Sequence, residues 1–412
     1  MTTATSTATT ASRRTPALAV RVLARAAILL AGAALIGAVA VKGAATYLAR
    51  SDPKAAALLA PYDARAAIAA AQAESASAAK VSAPEVRRLT AMALARDATL
   101  TPAIELRALQ AEADSDPRLE ARLFALSSDI SRRSLPTRLW LIQRAVDQGD
   151  VAGALENFDI ALRTSTAAPD VLFPVLARAA TDPSLAGPIA RILDRPEDWR
   201  LPFLHYAITE AHAGPGVTGV LLHMRDRRLI LDEHVDQSLI GELVVEQQYA
   251  LARSVRDAFG PPAAAGLVAD ADFADARMQY PFGWELIQSG TSGASRTQVG
   301  GRPALQYQAS PGGGGPAASQ LLTLPPGDYR LTVTTATPAN DPVSQPFWTL
   351  TCGGDLGPQL GLIDQPGVSG ASAAKDFTVP EGCPGQFLTL SIRSSDEPDL
   401  TGAIRSVAIE RR

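Results

Sequence analysis

Four histidines, two cysteines and a thin scatter of carboxylates are the groups in this 412-residue chain that could do chemistry. The histidines are His205, His212, His223 and His234. The first two stand seven apart and could share a helix face, but helical metal sites use tighter spacing together with a carboxylate. They read as packing or surface histidines, and no metal or other cofactor is expected. No stretch has the form GxSxG, HExxH, a phosphate-binding P-loop or a dinucleotide fingerprint. The paired carboxylates of a glycoside hydrolase are set by space rather than by spacing. On the strand-like stretches Glu285 and Asp376 stand apart, each without a recognisable context. Gly312 to Gly315 form a glycine run with no helix after it, so they read as a loop and not a phosphate cradle. The chain is expected to bind rather than to catalyse.

Cys352 and Cys383 are the two cysteines. An even pair in an exported domain suits a disulfide, with two unrelated buried thiols as the alternative. The case for export lies at the other end. MTTATSTATTAS is low in complexity and reads as disordered. Arg13, Arg14, Arg21 and Arg25 follow, with no acidic residue before Asp52. Ala26 to Val41 carries no charge, and helix continued to Leu48 reaches the length of a ~30 Å hydrocarbon core. A lipid bilayer is thus the expected partner of residues 26–48, with a basic tail of residues 1–25 on the cytoplasmic side and the bulk translocated. A signal peptide cleaved at Ala38-Val39-Ala40 and an ordinary buried helix are the competing readings. High alanine, with arginine ahead of lysine, points to a GC-rich bacterium, and so to an inner-membrane, single-pass protein with its bulk in the periplasm. A net charge of −4 and the lack of a basic run exclude a nucleic-acid footprint.

Residues 53–260 have apolar positions at helical spacing. Pro102, Pro136, Pro169 and Pro202 recur at intervals of 34, 33 and 33 residues. A second break follows each: Asp116-Pro117, Gly149-Asp150, Asp182-Pro183 and Gly214-Pro215. That is helix, turn, helix, four times over, the period of a solenoid. LWLIQRAVDQGDVAGALENFDIALRTSTAAP, from Leu139 to Pro169, resembles a tetratricopeptide repeat, with Gly149 at the turn and Ala154, Phe158, Ala161 and Leu162 on the second helix. The closing proline is late and Trp140 is displaced from the family's pattern. The resemblance implies a concave surface that docks a protein partner; the bland reading is a spacer.

FGPPAAAG marks a linker over residues 261–271, and the composition of 272–412 turns to glycine, threonine and aromatics. Eight short alternating runs predict an antiparallel β-sandwich of jelly-roll type: Phe282–Ile287, Ala304–Gln308, Gln320–Leu324, Tyr329–Thr335, Phe347–Thr351, Phe377–Val379, Phe387–Ile392 and Ile404–Ile409. QLLTLPPGDYRLTV reads as two strands joined by a tight turn at Pro326-Gly327, with Leu322, Leu324, Tyr329, Leu331 and Val333 facing the core. The whole is therefore an α plus β multidomain chain: transmembrane helix, α-solenoid of helix pairs, sandwich.

FGWELI, LQYQ, LPPGDYRLTV, FWTLTC and FTVPEGC are similar to carbohydrate-binding modules and galactose-binding-like sandwiches. The resemblance implies that aromatic faces, flanked by amides and carboxylates, receive a polysaccharide or oligosaccharide. The candidates are Tyr280, Trp284, Tyr307 and Trp348, with Gln306, Gln308 and Asp364 as polar neighbours. Alternation sets Trp284 beside Phe282 and Leu286, and Trp348 beside Leu350 and Cys352, which is also how core residues fall. Tyr280 precedes the first strand and is the better exposed candidate. A calcium often rivets such sandwiches, but no Asp-x-Asp-x-Gly run occurs. The combination resembles accessory proteins of cell-surface polysaccharide production. The alternative is an envelope scaffold whose sandwich binds protein or only caps the solenoid, and an exported glycoside hydrolase is a third reading.

Overall fold

The computed structural model describes residues 16–78, 80–261, 266–275, 277, 280–354 and 357–412, with side chains from Gly32 onward. The chain divides into two compact units, one ending at Ser165 and the other spanning Thr166–Arg412. The expected boundary near residue 260 falls inside the second unit, which holds seven α-helices together with the strands.

The first unit contains α1 (Pro16–Ser51), α2 (Pro53–Leu59), α3 (Ala64–Ala78), α4 (Pro84–Arg96), α5 (Thr101–Ala113), α6 (Pro117–Ile130), α7 (Leu135–Asp147) and α8 (Val151–Thr164). Helix begins at Pro16, ten residues ahead of the expected tail boundary; residues 1–15 lie outside the described residues. Gly32–Ser51 of α1 is long and apolar enough to cross a membrane, and Leu35, Ile36, Val39 and Tyr47 stand exposed along it.

The punctuation read from the sequence falls on helix starts. Pro102, Pro117 and Pro136 occupy the first turns of α5, α6 and α7, where a missing N–H costs nothing. Asp116 caps Leu119 N, Ser134 caps Thr137 N and Asp150 caps Gly153 N. Gly149 takes the left-handed turn between α7 and α8 (φ +70°), while Asp150 N reaches back to Ala145 O at 2.8 Å. Ala154, Phe158, Ala161 and Leu162 are buried on α8, and Trp140 instead stacks on Phe124 with centroids 4.8 Å apart. One carboxylate ties three helix segments together. Oε1 of buried Glu105 on α5 accepts from Ser127 of α6 (2.9 Å), Thr137 of α7 (2.7 Å) and Ser134, the α7 cap.

The second unit opens with α9 (Ala168–Ala180), α10 (Pro183–Leu193), α11 (Arg200–His205) running into a π-turn (Tyr206–Glu210), α12 (Gly214–His223), α13 (Arg227–Asp232), α14 (Val235–Val245) and α15 (Tyr249–Phe259). Its strands are β1 (Glu285–Leu286), β2 (Ser292–Val299), β3 (Arg302–Ala309), β4 (Gly315–Leu322), β5 (Gly327–Thr337), β6 (Phe347–Cys352), β7 (Gln359–Asp364), β8 (Ser372–Val379), β9 (Gln386–Ile392) and β10 (Leu400–Arg411). They form two five-stranded antiparallel sheets, ordered β1-β4-β9-β6-β7 and β2-β3-β10-β5-β8.

Two of these strands escaped the sequence reading. In β2 the positions turned inward hold small Ala294 and charged Arg296, so no apolar alternation shows. In β7, Gly361 stands where Leu350 faces it across the ladder. A third correction concerns QLLTLPPGDYRLTV. β4 and β5 lie in different sheets, so the stretch crosses between layers rather than closing a hairpin. The five residues assigned to the core, Leu322, Leu324, Tyr329, Leu331 and Val333, are all buried. Gln386 holds the crossing, accepting from Leu324 N and donating to Cys383 O, each at 2.8 Å.

The expected linker at 261–271 is likewise revised, with 262–265 outside the described residues. Val268 and Phe273 belong to the sandwich core. The side-chain amide of Gln320 bonds both the N–H and the C=O of Ala269. Buried Asp270 accepts from Arg296 of β2 and from Asp275 N, while its carbonyl accepts from Trp284 Nε1 at 3.0 Å. Helix α15 lies against β9. Tyr249 meets the Phe387 ring edge-on at 6.2 Å, and a Cβ at Gly385 would come within 2.5 Å of the tyrosine ring, so only glycine fits there.

Cys352 and Cys383 are joined, 31 residues apart. In the chain-entropy picture such a loop contributes about 3–4 kcal/mol. The double variant Cys352→Ala/Cys383→Ala is expected to lower the denaturant-unfolding free energy by about 2–4 kcal/mol, with no change in the fluorescence of the native tryptophans. Asp270→Ala strands the Arg296 guanidinium and should cost about 3 kcal/mol in the same assay; a loss below about 1 kcal/mol would mean that solvent already screens this pair.

Candidate functional site

The seven sequence candidates do not converge. Trp284, Tyr307 and Trp348 are core residues, 5%, 0% and 0% exposed. This corrects their reading as ligand platforms, because a ring with no free face cannot receive a sugar. Trp284 and Trp348 meet edge to face, 5.6 Å between centroids. Trp348 Nε1 donates to Gln365, which passes the chain on to Thr335. Burial pushes the Tyr307 phenol far above its usual pKa, and its hydroxyl has no hydrogen-bond partner among the described residues.

Gln306 and Gln308 lie on the outer face of the β2-β3-β10-β5-β8 sheet, which carries Ser295, Thr297, Thr332 and Thr334 and no aromatic ring on its described strands. Gln308 lines a small polar cavity at the loop end, with Thr291, Ser310 and Asp399. Asp364 is on the outer face of the other sheet. There it pairs with Arg393 at 2.5 Å, and Arg393 in turn lies 4.7 Å over the Phe347 ring.

Tyr280 is the one aromatic candidate left exposed, at 44%. It enters a cleft where α14 and α15 meet the segment leading into β1. Two lobes flank a common wall. The smaller, about 190 Å³, is lined by His234, Asp236 and Gln237, with Arg277, Tyr280 and Phe282 opposite. The larger, about 900 Å³, runs between Arg253 of α15, Leu267, and Leu321 to Pro326 at the end of β4, and is the more apolar. Arg256 and Phe282 line both lobes. The guanidinium lies 5.4 Å over the phenylalanine ring and bonds Asp257 at 2.8 Å. Its Nε is buried and has no hydrogen-bond partner among the described residues. Burial pushes the Arg256 pKa down. At the outer rim Arg277 holds the Asp275 carboxyl at about 2 through charge-assisted hydrogen bonds.

Chemically, this is a binding arrangement. It offers one exposed aromatic ring, an amide, a buried carboxylate and an arginine with an unused donor, beside a groove within the ~300–1,000 Å³ range of ligand sites. Among the described residues that line the two lobes, Asp236 is the one carboxylate. Sequence reasoning missed Arg256, Asp236 and Gln237. The signal for Arg256 was present: it falls seven after Tyr249, four after Ala252 and three before Phe259, all buried on α15, so an arginine sits on the apolar stripe. Asp236 and Gln237 left no comparable mark.

No protein-family profile matches the chain, and no curated protein matches it either. The tetratricopeptide assignment therefore stands as helix pairs at that spacing and no further. Solved structures resemble the sandwich. The enzymatically active domain of tailspike protein 4 of bacteriophage CBA120 is 15% identical over 36% of this chain, with TM-score 0.26; only 21% of that chain is covered. A CBM4 structure is 11% identical over 35% of this chain and 99% of its own, with TM-score 0.27. TmCBM61, solved with β-1,4-galactotriose, is 13% identical over 36% of this chain and 100% of its own, with TM-score 0.26. The last two are carbohydrate-binding-module structures, and the similarity covers the C-terminal part of this chain.

Arg256→Leu keeps bulk over Phe282 while removing the unpaired donor. The full chain carrying it is expected to unfold within about 1 kcal/mol of the parent, measured by urea titration. A loss of about 3 kcal/mol or more would instead make Arg256 part of the structural frame through Asp257.

Proposed function

We propose that this chain is a membrane-anchored, non-enzymatic binding protein whose cleft between α15 and the sandwich contacts an oligosaccharide, the helix pairs serving as scaffold. The observation that carries the reading is the exposed Tyr280 ring at the mouth of a cleft that is also lined by Gln237, Asp236 and Arg256. A pyranose offers what such a set takes: an apolar C–H face for the ring, and hydroxyls that both donate and accept for the polar groups. A bacterial inner-membrane anchor with the bulk in the periplasm, and service to surface-polysaccharide production, complete the proposal. What supports the anchor is the apolar length of Gly32–Ser51.

A second reading has its own support. Three of the four aromatic candidates are consumed by the core, and the outer face of the β2-β3-β10-β5-β8 sheet carries no ring on its described strands. This favours an envelope scaffold whose sandwich packs against its own helices and binds protein elsewhere.

Calorimetric titration of the detergent-solubilised full chain with a panel of bacterial surface oligosaccharides separates the two. Saturable binding that Tyr280→Ala weakens at least ~10-fold, about 1.4 kcal/mol, while the melting temperature stays put, is the expected result. A flat trace across the panel from folded protein favours the scaffold. Separately, a chain begun at Asp52 should move from the membrane to the soluble fraction on cell fractionation; if it stays with membranes, α1 is not the anchor.

A further inference from the structure

Two glutamates on α14 stand where a helix tolerates them least. Glu242 and Glu246 are one turn apart at its C-terminal end, and Glu246 is the capping residue, its N–H bonded to Glu242 O at 2.9 Å. Like charges at this spacing repel, and the helix dipole places partial negative charge at the same end. No basic residue occupies the last turn of α14 to relieve them. The relief comes from outside. His212, in the turn between the π-turn and α12, points Nδ1 at Oε1 of Glu242 from 2.5 Å. One ligand atom from each of His212, Glu242 and Glu246 lies within 4.8 Å of the others. Gly214 lets this turn come close: a Cβ there would stand 3.1 Å from Leu243 and 3.5 Å from Glu246 Oε2.

We propose that His212, Glu242 and Glu246 form a binding site for a divalent first-row metal ion of the Zn²⁺ type. An imidazole with two carboxylates is a donor set such ions accept, at bond lengths of about 2.0–2.2 Å. Around one ion those lengths set ligand atoms roughly 3–3.5 Å apart, so the long, half-exposed glutamate side chains need to close in by only about an ångström. A dication removes the repulsion between the two carboxylates and the penalty of the helix end together, which a neutral histidine cannot do. It also joins residues 30 apart in sequence, clipping the entry of α12 to the end of α14. The opposite end of α14 carries Asp236 and Gln237, which line the cleft, so the clip steadies one of its walls. The site itself is independent of what the cleft binds.

The test is titration of Zn²⁺ into chelator-treated full-length protein, with Mg²⁺ as the control ion. One saturable equivalent of Zn²⁺ and a rise in melting temperature absent with Mg²⁺ are expected. His212→Ala and Glu246→Gln should each weaken Zn²⁺ at least ~10-fold, whereas His205→Ala should not. Glu246→Gln is the deciding variant, because it leaves the His212–Glu242 contact in place. If it binds Zn²⁺ as the parent does, or if the parent takes up no Zn²⁺, the three residues make an ordinary ion pair and the proposal fails.

Discussion

The junction between helices and sandwich depends on how one buried carboxylate is satisfied. Asp270 sits in a left-handed backbone position (φ +49°), its side chain 2% exposed against the Arg296 guanidinium. A carboxylate so placed is tolerable only with a charged partner and further donors, and here Arg296 and Asp275 N supply both. The backbone around it is fixed at the same time, by Gln320 on Ala269, by Trp284 on the Asp270 carbonyl and by Val407 N on Ala271 O. Residues 266–275 are thus a fixed part of the sandwich. Helix α15 is held to the β4–β9 end of the sheet directly, by Tyr249 on Phe387 and Arg253 on Thr323, and the cleft lies between helix and sandwich.

The placement of the cleft follows from what the strands had to spend their large residues on. The sandwich core takes Trp284, Tyr307, Tyr329, Trp348 and Phe377, leaving threonine, serine and alanine for the outer face of the β2-β3-β10-β5-β8 sheet. Ala304, Ala336 and Ala403 even form a small buried cluster on it, with Val299 packed alongside. A flat face of small side chains can pair through hydroxyls but holds no ring against a ligand. Exposed aromatic surface is left to the loops and to the helix junction, and Tyr280 is where it emerges.

Local signals were legible in the sequence and tertiary ones were not. Proline at first helical turns and aspartate or serine at caps act within four residues, so Pro102, Asp116, Pro136 and Asp150 could be read directly. Alternation likewise placed Leu322, Tyr329, Leu331 and Val333 inside. Alternation says which side of a strand a residue faces, but nothing of which strand it pairs with, and so β4 and β5 were joined in one hairpin when they belong to two sheets. The same limit misled the site assignment. Trp284 and Trp348 have the composition of a sugar platform, and only the second sheet, closing over them, makes them core. His212 shows the reverse case: its carboxylate partners are 30 and more residues away, beyond any spacing rule applied to neighbouring histidines.

Among the described residues, buried side-chain polar atoms have hydrogen-bond partners with two exceptions. Glu105 collects three hydroxyls; Gln320, Gln345 and Gln386 each bond a backbone N–H and a backbone C=O as a strand neighbour would. Satisfied networks of this kind fix register and resist displacement, since any shift breaks several bonds at once. Against that standard two atoms stand out, the Tyr307 hydroxyl and Arg256 Nε, both buried and unpartnered among the described residues. They are not equivalent. The tyrosine hydroxyl is closed in by Gly402, where even a Cβ would come within 2.1 Å, so nothing can reach it. Arg256 instead borders two cavities and is held by Phe282 on one side and Asp257 on the other. An unsatisfied donor costs about 1–3 kcal/mol when it stays unsatisfied; at Arg256 the contact with the Phe282 ring and the ion pair with Asp257 offset that cost. The two residues therefore differ in that the Arg256 side chain lines both lobes of the cleft while the Tyr307 side chain is enclosed in the core.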